Sequence, residues 1–177
     1  MTRNARIILT IIALFGLVVV LPGGDALAQQ KQKVSYKVST ENTKYTQQLT
    51  IDAGDMSGHE VRVFEIHRTL GADAPVINGI KLKETWNRGF ADYTDYNGPS
   101  SSYVTYVFEN GDKVFVQTTT LGQKNAAGTR TTVSVGRITG GTGQFVGIQG
   151  MTRSTGLSDP KAGQNATEVE VEFWFAK

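Results

Sequence analysis

From residue 34 onward the chain alternates apolar and polar positions with the two-residue period of a pleated strand. The alternating segments span 34–39, 45–51, 59–68, 77–86, 103–109, 113–120, 131–138, 145–153 and 167–175. β-Branched and aromatic residues fill these runs, turn residues separate them, and no helical period appears among them. Short strands at this spacing predict an all-β domain: a single antiparallel eight-stranded (eight or nine strands) up-and-down β-barrel.

Two segments are regular enough to assign faces. In the last one, Val169, Val171, Phe173 and Phe175 fall on one side and Glu168, Glu170, Glu172 and Trp174 on the other. That is the pattern of a half-buried strand, and it is expected to close the barrel. Between 103–109 and 113–120, Asn110-Gly111 predicts a type I′ hairpin pairing Val107 with Val114 and Thr105 with Val116. Two stretches, 87–102 and 155–166, read as longer loops. Within the second, Asn165-Ala166-Thr167 matches a glycosylation acceptor, a triplet common by chance.

The richest turn chemistry lies at 136–150, which holds six glycines in fifteen residues. Gly140, Gly141 and Gly143 suit a tight hairpin that needs positive φ. Gly147 and Gly150 fall in the next strand, where glycine marks a bulge, a corner or the close approach of another backbone. A phosphate-binding loop is excluded, because the Gly-Lys-Ser/Thr ending, the third glycine of a dinucleotide fingerprint and a following helix are all missing.

The stretch Thr139-Gly140-Gly141-Thr142-Gly143-Gln144-Phe145-Val146-Gly147-Ile148-Gln149-Gly150 resembles a hairpin of the allene oxide cyclase and dirigent families. The strand at 132–136 and the Asn110-Gly111-Asp112 turn fit the same layout, and the similarity extends over 59–175. The resemblance implies an eight-stranded calycin-type barrel. In those families the barrel handles a small, mostly apolar molecule without a cofactor, by closing a fatty-acid epoxide or by holding phenoxy radicals for coupling. The shared motif is structural and carries over no catalytic residue.

The first residues belong to a different regime. Arg3 and Arg6 precede an uncharged apolar run at 7–21, followed by Pro22-Gly23-Gly24 and the small-residue site Ala26-Leu27-Ala28. This reads as a signal peptide, residues 1–28, with a mature β-barrel domain at 29–177, exported to the periplasm or the extracellular space. The run is shorter than the ~20 residues of a spanning helix. Without its leader the chain has 16 basic and 15 acidic residues, and no basic block points to nucleic acid or to a membrane surface. With no cysteine, the exported domain must rely on its core without disulfides.

Candidate chemistry comes from polar groups on apolar strands. Val61, Val63, Glu65 and His67 share one face of their strand, and Arg62, Phe64, Ile66 and Arg68 the other. If the first face is interior, Glu65 and His67 enter the cavity as a candidate acid–base pair. The alternative is that they face solvent or pair with a neighbouring arginine. Glu84, Trp86, Tyr93 and Tyr96 are candidates for the ligand-binding rim of an open barrel end. His59 and His67, with no thiolate, are too few for a structural metal site, and no cofactor is expected. Two functions remain open: an exported barrel holding a small, mostly apolar ligand, as a binder or a cofactor-free cyclase or isomerase, and a side-chain-filled structural or interaction barrel. An outer sheet face would allow a homo-oligomer.

Overall fold

A computed structural model describes residues 30–159 and 164–176, so the leader reading and residues 160–163 lie outside the described residues. Within 155–166, read as a longer loop, strand structure runs to Asp159 and resumes at Gln164. Ten strands follow one another: β1 (Gln32–Val38), β2 (Thr43–Asp52), β3 (His59–Thr69), β4 (Val76–Ile77), β5 (Ile80–Thr94), β6 (Gly98–Phe108), β7 (Lys113–Lys124), β8 (Arg130–Gly141), β9 (Ile148–Asp159) and β10 (Gln164–Phe175). Single 3-10 turns occupy Thr40–Asn42 and Gly143–Phe145. All strands pair antiparallel in one sheet of order β1-β10-β9-β8-β7-β6-β5-β3-β2, with β4 on β5. The all-β expectation holds.

The closure differs from the expectation. β10 is not an edge, because β1 pairs along its outer side, from Gln32 opposite Phe173 to Val38 opposite Thr167. The sheet edges are β1 and β2, and they form no ladder with each other. They are joined instead by the 3-10 turn, which confines them there to within about 18 Å. In an all-antiparallel path of nine strands the first and last point the same way, so β1 and β2 are two halves of one N-terminal strand. Its first half pairs with one edge of the curled sheet and its second half with the other. Across this seam, Asn165 of β10 donates from Nδ2 to the Tyr45 hydroxyl (3.0 Å) and from its backbone N–H to Thr40 Oγ1 (3.0 Å). The acceptor triplet therefore sits at the seam.

The inner face is divided into a filled half and a hollow half. Phe108, Phe145, Phe173, Leu82, Ile77 and Val171 are almost wholly buried and plug one end, with the Phe108 and Phe145 rings stacked at 4.1 Å. Each such side chain contributes about 1.5–3 kcal/mol of burial. Phe145, read from sequence as the start of a strand, instead sits on the 3-10 turn and points into this plug, and the strand begins at Ile148. The β10 alternation is as expected, with Val171 and Phe173 in the core. Its outward Glu168, Glu170 and Glu172 meet Lys37 and Lys33 of β1 and Lys31 just before it at 2.5, 2.7 and 2.9 Å. Exposed pairs of this kind add little stability, but they favour a single register.

Two local readings are corrected. The Asn110-Gly111 turn is not type I′, since only Gly111 has positive φ, and Gly111 N–H donates to the Phe108 carbonyl. The extra residue slips the pairing by one, so Val107 faces Lys113 and Tyr106 faces Val114. Tyr106, Phe108, Val114 and Val116 consequently share the interior. Residues 87–102 are not a long loop either. β5 and β6 continue through them and meet in a two-residue turn at Asp95-Tyr96.

Gly150 within β9 shows why the motif demands glycine. It holds φ 151°, and an added Cβ would collide with the Glu172 carbonyl of the paired strand. Gly147 also has positive φ, 82°, but faces open space. Gly150→Ala is expected to lose about 3 kcal/mol, and Gly147→Ala only about 1–2 kcal/mol. Urea denaturation of the two variants checks this, and equal losses would contradict the close-approach explanation.

Candidate functional site

Beyond the apolar plug, the curled sheet encloses a cavity of about 460 Å³, a volume suited to one small organic molecule. Its walls mix apolar and polar groups, with Phe64, Ile66, Val104 and Val169 beside many hydroxyls. Ser and Thr residues project inward from β5 to β10, and Thr85, Ser100, Ser102 and Thr152 are buried there. Hydroxyls are bonded across the strands, Ser102 to Thr118 at 2.7 Å and Thr120 to Ser134 at 2.8 Å. Among the described residues lining the cavity there is no Asp or Glu, yet there are three arginines: Arg62, Arg68 and Arg130.

The arginines lie at two levels. At the mouth, Arg130 at the start of β8 donates from Nε to the Tyr96 carbonyl (2.7 Å) and lies 4.4 Å from the Tyr93 ring centroid. Arg62 on β3 approaches the Tyr93 and Tyr96 rings at 6.0 and 5.6 Å and bonds to Glu60. Deeper, next to the plug, Arg68 sits among Tyr36, Tyr45 and Tyr106. Arg62 Nε, Arg68 Nε, Arg130 Nη2 and Asn87 Oδ1 are buried with no hydrogen-bond partner. An orphaned buried guanidinium N–H is costly, so each marks a place where an acceptor is expected.

The mouth also carries backbone strain. Asp95 and Tyr96 hold φ of 51° and 64°, the left-handed values of a type I′ turn, without the Asn-Gly usual there. Thr94 and Asn97 exchange backbone hydrogen bonds of 2.8 and 2.9 Å around it. The chain holds a tyrosine where glycine would be relaxed, and this places Tyr96 over the cavity.

Of the residues singled out from sequence, Tyr93 and Tyr96 line the cavity mouth. Glu65, His67, Glu84 and Trp86 do come together, but on the outer face of β3 and β5. His67 stacks on Trp86 at 4.1 Å and meets Glu84 at 3.0 Å, while Trp86 Nε1 donates to Glu84 at 3.2 Å. Glu65 accepts from Thr46 (2.6 Å) and Arg88 (2.6 Å). The Thr46 hydroxyl, with help from Arg88, holds its carboxyl below the usual carboxylate range. Burial pushes Glu84 up, but hydrogen bonds from His67 and Trp86 outweigh it and leave the carboxyl lowered. Neither is a carboxylic acid kept protonated in a cavity.

The face assignment for β3 is thus the reverse of the acid–base reading: Arg62, Phe64, Ile66 and Arg68 point inward. Phe64 and Ile66 are larger apolar groups than Val61 and Val63, and arginine stems pack well beside them. That size difference was the signal in the sequence. Arg130 had none, because its role depends on a turn thirty-four residues away.

The comparisons with known proteins come down to the fold. No protein-family model matches the sequence, and no curated protein does. Among solved structures, two pterocarpan synthase dirigent proteins match with TM-scores of 0.50 and 0.51, at 14% and 13% identity. The matches cover 84% of this chain and 87% and 97% of theirs. A looser match, to a pyocyanin demethylase, has a TM-score of 0.41, 17% identity and covers 78% of this chain and 99% of the other. The chain therefore has a dirigent-like β-barrel fold.

Beside the mouth, His59 bridges Asp55 (2.5 Å) and Asp92 (2.8 Å), tying the β2–β3 connection to β5. The hydrogen bond to Asp55, then that to Asp92, raises the imidazole above its ordinary value. The folded state therefore binds this proton more tightly than the unfolded chain does. The stabilisation is fully present below about pH 6.5 and is lost as pH rises through the raised value. Proton NMR of the chain's two histidines is expected to show His59 titrating above the free-imidazole range, and an unshifted His59 would contradict the bridge.

Proposed function

We propose that this protein is an exported binder of small organic anions, which it holds within the cavity of its dirigent-like barrel. The observation that carries the reading is the set of three inward arginines, with orphaned N–H groups and, among the described residues, no lining carboxylate. A hydroxyl-rich wall and flat tyrosines at the mouth complement an aromatic or conjugated carboxylate, sulfonate or phosphate. The mostly apolar ligand expected from the family resemblance fits this lining less well than an amphipathic anion does.

Capture is favoured over a cyclase or isomerase reaction. The lining offers Arg, Tyr, Ser, Thr, Asn and Gln as polar side chains, which are hydrogen-bond donors or neutral acceptors rather than bases near neutral pH. Burial raises Tyr36 well above the ordinary phenol, and Tyr106 as well, so both remain donors. A hollow of this volume also favours binding over the filled structural barrel.

Two measurements test the proposal. A naphthalene sulfonate should bind and the neutral sulfonamide of the same shape should bind at least tenfold more weakly, with Arg130→Gln removing most of the difference, about 1.4 kcal/mol or more. Equal binding of the two fluorophores would refute an anion site. Export through the leader is supported by the charge and hydropathy pattern at 3–28. The intact mass of the protein in the extracytoplasmic fraction should correspond to a chain starting at Gln29, and retention of the leader there would overturn that part.

A further inference from the structure

Resting on the anion-binding reading, we infer that the cavity takes a dianion, an elongated molecule carrying one negative group at each end. The three arginines are not equivalent. Arg62 already has a carboxylate partner in Glu60. Arg130 and Arg68 have no carboxylate partner among the described residues, and each has an orphaned buried N–H. Two positive charges are thus left uncompensated on the lining of one hollow.

The placement follows from the strands. Arg130 contacts Tyr96 at the β5–β6 turn, which forms the rim. Arg68 lies opposite Thr85, which pairs with Tyr106 beside Val114 of the apolar plug. Arg62, at the rim level, and Arg68 are six residues apart on β3, about 20 Å along the strand. Sharing one carboxylate across that gap would need both stems stretched full length along the strand rather than into the hollow, so two negative groups suit the two levels.

Arg68 is the more informative of the two. It is surrounded by protein yet keeps part of its surface open, which at this position means open to the cavity. Burial weakens its hold on the proton, and the neighbouring Tyr45, Tyr36 and Tyr106 offset that only in part. Those neighbours are phenol hydroxyls, which can accept from a guanidinium but do not neutralise it. An unpaired buried cation opposes folding of the empty protein. Its presence is explained if a ligand supplies the missing charge.

Calorimetric titration with straight-chain α,ω-dicarboxylates of increasing length, against monocarboxylates of matched length, tests this on the full chain. Affinity is expected to peak at one dicarboxylate length and to exceed that of the matched monocarboxylate at least tenfold. Arg68→Gln and Arg130→Gln should each reduce the dicarboxylate to the monocarboxylate's affinity. Arg68→Met should melt no lower than the parent when empty, since the change removes an uncompensated charge. A purely structural arginine would instead melt lower on replacement and leave the length preference untouched, and that result overturns the inference. Monocarboxylates binding as tightly as every dicarboxylate would overturn it too, while leaving the anion site at the mouth intact. Failure of carboxylates of both kinds and of the naphthalene sulfonate would sink both readings together.

Discussion

Everything in this molecule depends on how one N-terminal strand serves two edges. β1 pairs with β10, the chain makes a single 3-10 turn, and β2 pairs with β3. A sheet of this many strands can then curl without a closing ladder, because the covalent chain spans the gap. Asn165 ties the seam with a side-chain and a backbone hydrogen bond. Once the sheet is curled, alternate residues on every strand are committed to the interior, and the chemistry of the hollow is set by which of them are polar.

The interior is then partitioned by size. Large apolar groups converge at the end where Phe145 folds in on its 3-10 turn, and they form the core that makes folding favourable. Toward the other end the inward positions include many serines and threonines, too small to fill the space between the larger Arg, Tyr, Phe and Ile side chains. The core and the hollow thus occupy different halves of one barrel. Orphaned guanidinium N–H groups and the strained Asp95-Tyr96 turn fall in the hollow half. Such conflicts between local preference and the fold are where function is expected.

The sequence made the strands and the glycine corner legible because both rest on local rules. The Val/Phe against Glu alternation of β10 needed only the pleat. Gly150 needed only the rarity of glycine inside a strand. What was not legible depended on neighbours distant in the chain. The Asp95-Tyr96 turn lacks the usual glycine, so two long strands read as one loop. The one-residue slip at Gly111 moved Tyr106 and Val114 onto a common face. The reversal of β3 had the greatest consequence: charged residues are assumed to face water, yet Arg62 and Arg68 line the hollow while Glu65 and His67 lie outside. Tyr93 and Tyr96 stood out as aromatic residues in a stretch read as a loop, but not as neighbours of Arg130.

Anomalous diffraction from crystals of the protein soaked in bromide tests the central claim most directly, because bromide seeks uncompensated positive charge wherever it is accessible. The account predicts anomalous peaks inside the barrel beside the Arg130 and Arg68 guanidiniums. A cavity free of bromide, with these arginines turned out to solvent or paired with carboxylates, would contradict it.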